Sequence, residues 1–148
     1  MKRILLLVAC ITFIGACTED PANDSSSLGP SETFLKYHLI SQSNKDFSVE
    51  ESYQTQAKRD ELRVKLPQYI SSMKVDNVEQ VKEKYLMFIG NTAKCTSLTL
   101  TTETIAADKA QLAYAVEDTC SGHTGAIQKV EMHFERGGWK IHDTELVL

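Results

Sequence analysis

The amino-acid sequence predicts an α+β domain in which N-terminal helices precede four antiparallel strands. Up to Gly90, apolar residues such as Val78, Val81 and Tyr85 recur at the three- and four-residue spacing of a helix. After Gly90 the apolar residues alternate with polar ones, and turn residues separate four such segments. The chain has 148 residues, which is enough for one domain with an ordinary core.

The helical half of the sequence predicts three helices. The first begins at Pro30, a residue suited to the first turn of a helix. The second covers residues 48–66, and Pro67 ends or kinks it. The third begins at a capped start near Asp76, and the glycine at position 90 closes it.

The last two strands form a hairpin whose register follows from its turn. Gly137-Gly138 reads as a two-residue primed turn, which makes Arg136 the partner of Trp139. One face of this hairpin is apolar and packs, and the other face is polar and meets water. The derived cross-strand pairs are Phe134 with Ile141, Glu135 with Lys140, His133 with His142, and Met132 with Asp143.

The preceding hairpin contains a conflict between two patterns. A turn centred between Ala107 and Asp108 places Cys95 directly opposite Cys120. The same register puts the apolar residues of the two strands on opposite faces, as Leu98 and Leu112 illustrate. A β-bulge shifts one strand by a residue, so we expect one in this hairpin.

The N-terminus predicts an export signal rather than a membrane span. Two basic residues precede the apolar segment 4–14, which is too short to cross a bilayer, since a spanning helix needs about 20 apolar residues. Residues 14–17, Ile-Gly-Ala-Cys, resemble the bacterial lipobox. This resemblance implies a signal peptide at 1–16 and acylation of Cys17. The alternative is an ordinary secreted protein with an incidental cysteine at this position.

Residues beyond the cysteine suggest where the protein is held. In Gram-negative lipoproteins an aspartate after the cysteine commonly retains the protein at the inner membrane, and here Thr18 occupies that position. We therefore expect a lipid anchor in the outer membrane and a domain facing the periplasm. Residues 17–30 comprise the cysteine and a tether rich in serine and proline, and residues 31–148 form the single domain.

Charge argues against nucleic acid as a partner. From Cys17 onward the chain carries 14 basic and 20 acidic residues, a net charge of −6. Phosphate binding requires clustered positive charge. The one basic cluster comprises Lys58, Arg59, Arg63 and Lys65, and it could face anionic lipid or an acidic partner. Because acidic residues interrupt it, a solvated helix face is the alternative that we favour.

Two cysteines remain for the domain. Cys95 and Cys120 form an even pair in an oxidising compartment, which predicts a disulfide. A metal site is the alternative, but two thiols without a nearby histidine pair do not make a zinc site. We therefore expect neither a metal nor another cofactor.

The order of elements and the segment FERGGWKIHDTEL resemble the NTF2-like superfamily, and in particular small exported lipoproteins of the DUF4878 type. TIAADKAQLAYAV resembles the earlier hairpin of that family. The resemblance covers residues 31–148, although 58–73 has no counterpart. It implies a curved, cystatin-like sheet whose concave face and helices form a cone around a pocket. A cone filled by Trp139, Phe134 and Met132 would leave no room for a ligand.

Several side chains are candidates for chemistry in such a pocket. His133 and His142, opposite each other, form either a pH-responsive or metal-binding pair, or two solvated histidines. Asp143, on the packing face, is either the acid–base group of a pocket enzyme or the solvated end of a strand. His123, in a glycine-flanked turn, is expected to be exposed.

We expect a non-catalytic binding module for a periplasmic protein or a small ligand, in an assembly, pilot or immunity-type role. The alternative function is a pocket enzyme that uses Asp143 or a histidine as acid or base. The sequence contains none of the spaced motifs of nucleophilic, zinc-dependent or phosphate-binding enzymes.

Overall fold

A computed structural model describes residues 28–148 as helices packed on one antiparallel sheet. The predicted signal peptide 1–16, the predicted acylation site Cys17 and most of the predicted tether lie outside the described residues. The helices are α1 (Pro30–Ser41), α2 (Phe47–Ser52), α3 (Gln56–Lys65), α4 (Tyr69–Met73) and α5 (Val78–Lys94), with a 3-10 turn at Leu66–Gln68. The strands are β1 (Thr96–Ala106), β2 (Lys109–Asp118), β3 (Thr124–Glu135) and β4 (Gly138–Val147).

The predicted helix over 48–66 is wrong as a single element, because the chain between α2 and α3 docks on β4. The backbone N–H of Ile141 donates to the Tyr53 carbonyl at 2.7 Å, and the N–H of Thr55 donates to the Ile141 carbonyl at 3.0 Å. Thr55 then caps α3 by accepting from the N–H of Lys58. Hydrogen bonds to a distant strand thus override the local helical preference of this segment.

Gly90 does not end the third predicted helix. This helix, α5, starts at an Asn77 cap and continues through Gly90 to Lys94. A Cβ atom at position 90 would lie 3.0 Å from the carbonyl oxygen of Ser41. The glycine therefore permits close contact between α5 and the end of α1.

The sheet has the strand order β1-β2-β3-β4, and its first hairpin contains the predicted bulge. Near the turn, Ala106 pairs with Lys109 as expected, and the register shifts between Leu100 and Thr102. Beyond the shift, Leu100 pairs with Tyr114, so the apolar side chains share a face.

The disulfide between Cys95 and Cys120 is confirmed. Its two Cα atoms lie 5.1 Å apart. Because of the bulge, Cys95 no longer lies directly opposite Cys120. Its carbonyl accepts a hydrogen bond from the N–H of Thr119 instead.

The last hairpin turns one residue earlier than predicted. Arg136 and Gly137 occupy the turn, with φ of 53° and 80°. Phe134 consequently pairs with Trp139 rather than with Ile141. A bulge in this hairpin also shifts the register between Glu131 and Met132.

The core lies between α1 and one face of the sheet. Its central side chains are buried, and they comprise Phe34, Ala110, Leu112, Tyr114, Val130, Met132 and Ile141. The rings of Phe34 and Tyr114 pack at 5.2 Å between centroids. Among the described residues, no helix combines the length and the apolar character that a bilayer crossing requires.

Candidate functional site

The concave cleft lies between α1, α5 and the helix-covered face of the sheet. It has a volume of about 370 Å³. Its walls include Phe34, Tyr37, Tyr85, Phe88, Leu98 and Leu146. Met132 is buried in the core, while Phe134 packs edge-on against Trp139 near the hairpin turn. The three side chains that could have filled the cone therefore leave this cleft open.

The cleft continues toward the disulfide. A second cavity of about 800 Å³ shares Phe88, Val116 and Leu146 with the first and extends past Cys95 to Leu148. Phe88 is 72% exposed and Leu146 is 55% exposed. The mouth of the concave cleft is thus apolar and open to water.

Two polar side chains of the concave cleft, Tyr37 and His38, are bonded within the protein. The Tyr37 hydroxyl donates to Glu50 Oε1 at 2.9 Å, and the His38 ring lies 3.1 Å from the Thr96 carbonyl oxygen. Burial raises the pKa of the Tyr37 hydroxyl far above its ordinary value, and the nearby carboxyl of Glu50 adds to the rise. The hydroxyl therefore stays protonated and acts as a donor.

Glu50 is a buried carboxyl that sequence reasoning missed. It is 1% exposed, and it accepts from Tyr37 and from the Gln54 side chain at 2.9 Å. Its second oxygen, Oε2, has no hydrogen-bond partner. Burial raises the pKa of this carboxyl, while the hydrogen bonds oppose the rise. The weak amphipathic pattern of residues 48–66 carried no signal that Glu50 faces inward.

The histidine cluster, formed by Glu131, His133 and His142, lies on the opposite face of the sheet. The two imidazole rings stack with 4.0 Å between centroids and 13° between planes. His133 Nε2 lies 2.7 Å from Glu131 Oε1. Sequence reasoning brought the two histidines together but missed Glu131, although alternation along β3 places it on the same face as His133.

The bulge in β4 explains how the cluster forms. Met132 pairs with Ile141, and the next residue of β3, Glu131, pairs with Asp143. His142 lies between Ile141 and Asp143 and has no partner on β3, so it is the extra residue of the bulge. His142 Nδ1 lies 3.2 Å from Oγ1 of the buried Thr55. The hydrogen bond from His133 lowers the pKa of the Glu131 carboxyl below its ordinary value.

Asp143 does not lie on the packing face, and that expectation is wrong. The earlier turn and the bulge together pair it with Glu131 rather than with Met132. Its side chain is 64% exposed and lies 3.6 Å from Lys58 Nζ. The residue is therefore a surface carboxylate outside the concave cleft.

His123, Arg63 and Lys65 are exposed, whereas Lys58 and Arg59 are half-buried, and Arg59 Nη2 donates to Gln56 Oε1 at 2.7 Å. His123 is exposed, and its Nδ1 lies 2.7 Å from the Ser121 hydroxyl. The basic residues lie on α3, where Lys58 and Lys65 both pair with Glu61. Arg63 pairs with Glu51 and with Asp60. This pairing supports a solvated helix face over a lipid-binding one.

Comparisons with known proteins give weak likenesses only. No protein-family model and no curated protein matches the chain. Among solved structures, it is similar to a substituted version of Rd1NTF2_05, a designed NTF2-like protein, with 17% identity and a TM-score of 0.37. That match covers 45% of this chain and 61% of the other, less than two thirds of its length.

A second likeness covers more of the chain at a lower score. The intermembrane space region of the chloroplast protein ARC6 is 15% identical, with a TM-score of 0.30 over 86% of this chain and 98% of that one. The helices and the four-stranded antiparallel sheet define an α+β fold. The side chains that could support a function lie in the concave cleft and in the histidine cluster.

Proposed function

We propose that this protein is an exported lipoprotein, acylated at Cys17 and held at the outer membrane, whose NTF2-like domain is a non-catalytic binding module. The concave cleft carries the proposal. It binds an apolar group, supplied either by a small ligand or by a periplasmic partner protein. Its apolar walls and open mouth support this chemistry.

Exposed apolar residues at the cleft are the supporting observation. Phe88 and Leu146 leave more than half of their surface in water at the mouth of one cavity. Contiguous apolar surface of this kind marks binding sites in soluble domains. The hydroxyl of Tyr37 and the ring of His38 form hydrogen bonds within the protein. These bonds fix the positions of the side chains in the cleft wall.

The arrangement favours binding over acid–base catalysis. None of the described residues that line the first cavity is a carboxylate. Asp118 lines the continuation toward the disulfide, where its Oδ1 accepts from the backbone N–H groups of Cys120 and Ser121. Asp143, the acid of the enzymatic alternative, is exposed on another surface, and Glu50 is buried behind Tyr37. A general base must reach the proton that it abstracts, and neither carboxylate lines the cleft.

An environment-sensitive dye tests the cleft. We expect anilinonaphthalene sulfonate to fluoresce on binding, and Phe88→Ser or Leu146→Ser to weaken its affinity by about tenfold, since each removes an apolar wall. Ile105→Ser is the matched control, because Ile105 is 54% exposed but lies on β1 outside the cleft. Equal weakening by all three variants would contradict the proposal.

A photo-crosslinking phenylalanine analogue separates a partner protein from a small ligand. Placed at Phe88 in cell envelopes, it should form a discrete protein adduct, whereas the same analogue at Ile105 should form none. Dye binding without an adduct at Phe88 would assign the cleft to a small ligand. Absence of both dye binding and adduct would refute the binding module.

Metabolic labelling with a palmitate analogue tests the anchor. The wild-type chain should be labelled and should fractionate with outer membranes, because three acyl chains hold a protein stably where one chain does not. Cys17→Ser should lose the label, and Cys10→Ser should keep it. Label that persists in Cys17→Ser would exclude acylation at this residue.

A further inference from the structure

We propose that the histidine cluster binds a divalent transition-metal ion of the Zn²⁺ type. Glu131, His133 and His142 each offer one ligand atom, and these atoms lie within 4.8 Å of one another. Imidazole nitrogen with carboxylate oxygen is a donor set that suits Zn²⁺, and three protein ligands leave a position for water. This site lies on the opposite face of the sheet from the concave cleft and stands independently of the function proposed for it.

Metal binding requires rotation of the imidazole side chains, because the rings stack 13° from parallel and their nitrogen lone pairs do not converge. Zinc–ligand distances of about 2.0–2.1 Å place tetrahedral ligand atoms about 3.3 Å apart. The stacked rings must therefore tilt toward a common point as the metal enters. The ion replaces the hydrogen bond between His133 Nε2 and Glu131 Oε1, and it displaces the proton on that nitrogen to solvent or to Nδ1.

Thr55 supplies the hydrogen bond to the second ring nitrogen that orients a metal-binding histidine. When His142 Nδ1 carries the proton, it donates to Thr55 Oγ1, which leaves Nε2 free to bind the ion. Thr55 is fully buried, and its position is fixed by the α3 cap and by its backbone bond to Ile141. Thr55 Oγ1 is therefore a fixed partner for His142 Nδ1, and the ring can tilt about this hydrogen bond.

A surface cleft gives the ion a route and an open coordination position. This cleft, of about 310 Å³, is lined by His142 and by the carboxylates of Glu61, Glu131 and Asp143. Lys58 also lines it, and Lys109 Nζ lies 3.9 Å from Glu131 Oε1. The ammonium groups of Lys58, Lys65 and Lys109 contact these three carboxylates. The charge of the cleft is thus balanced, and the preference for a metal ion comes from the imidazole and carboxylate ligand atoms.

A titration of the untagged full chain with Zn²⁺ tests the site. Competition against a chromogenic chelator should give one saturable equivalent, and Co²⁺ should give the intense visible bands of four-coordination. Glu131→Gln, His133→Ala and His142→Ala should each weaken Zn²⁺ binding by at least about tenfold. His123→Ala is the matched control, since its ring is exposed and lies outside the cluster.

The same titration can overturn the proposal. No saturable equivalent in the wild-type chain, or equal weakening by His123→Ala, would mean that the rings only stack and bond within the sheet. Folding is checked by melting each variant without metal. Zn²⁺ should raise the melting temperature of the wild type and of His123→Ala but not of His142→Ala. A rise that His142→Ala retains would also refute the site.

Discussion

Glu50 is a carboxyl group held where water does not reach it. Burial raises its pKa, so the folded protein binds a proton more tightly than the unfolded chain does. Its contribution to stability is therefore complete below the ordinary glutamate pKa and is lost as the pH rises through the folded value. At neutral pH the residue costs stability that an uncharged side chain would not cost.

Glu50→Gln should accordingly become more stabilising, relative to the wild type, as the pH rises. Glutamine keeps the shape and the acceptor for Tyr37 but does not ionise. Urea unfolding between pH 4 and pH 8 measures the difference. Glu83→Gln, at an exposed position of α5, should show no such trend, and a flat profile for Glu50→Gln would contradict the argument.

Gly90 permits a close contact that any side chain would obstruct. In Gly90→Ala the new Cβ would meet the Ser41 carbonyl at 3.0 Å, so α1 and α5 would have to separate. Overpacking of about 1–3 kcal/mol outweighs a gain of about 1 kcal/mol in helix propensity. We expect a net destabilisation of about 1 kcal/mol by chemical denaturation. Asn91→Ala, at an exposed neighbour, should not destabilise the protein.

The residues of the histidine cluster and Asp143 show which parts of the candidate site the sequence could predict. His133 and His142 were predicted to be neighbours, and they are. Moving the turn by one residue shifts the cross-strand pairing by two residues, so each side chain stays on its predicted face. Glu131 was missed because its direct partner is Asp143 rather than a histidine. Asp143 was misplaced because the bulge at His142 has no local signature in the sequence.

Among the elements, the strands were predicted better than the helices. Alternation and turn residues define the four strands, and the conflict between the cysteine register and the apolar register revealed the bulge beside Thr101. The break between α2 and α3 depends on hydrogen bonds to Ile141, far away in the sequence. The turn at Arg136-Gly137 places Arg136 at positive φ. Glycine adopts this conformation far more readily than arginine, so the sequence favoured a turn at Gly137-Gly138.

The disulfide ties the end of α5 to the turn between β2 and β3. It closes a loop with a sequence separation of 25 residues. In the chain-entropy treatment, the double substitution Cys95→Ala with Cys120→Ala should cost about 3–4 kcal/mol. Chemical denaturation measures the loss. A double variant as stable as the wild type would mean that the crosslink adds nothing to folding stability.

For the whole molecule, the charge predicts that the polypeptide itself does not bind an anionic membrane surface. The chain from Cys17 onward has a net charge of −6, and three of the four cations of α3 pair with carboxylates, namely Lys58, Arg63 and Lys65. Anionic surfaces attract clustered unpaired cations and repel a chain of this charge.

Unacylated Cys17→Ser protein should therefore stay in the supernatant when mixed with phosphatidylglycerol vesicles at low salt. Sedimentation measures the bound fraction, and acylated wild-type protein is the positive control. Binding that disappears as salt is added would instead assign the basic cluster of α3 to the membrane surface.

The hydrogen bonds of Ile141 to Tyr53 and Thr55 also bear on self-association. Edge strands with free backbone groups are templates for aggregation. On β4, Ile141 already donates and accepts, so an incoming strand cannot pair there without dislodging the link between α2 and α3. On β1, the opposite edge, the bulge beside Thr101 interrupts the ladder that a second chain would extend. The two edges of the sheet are thus protected from pairing with another chain in different ways. The segment between α2 and α3 covers β4 at Ile141, and a bulge interrupts β1.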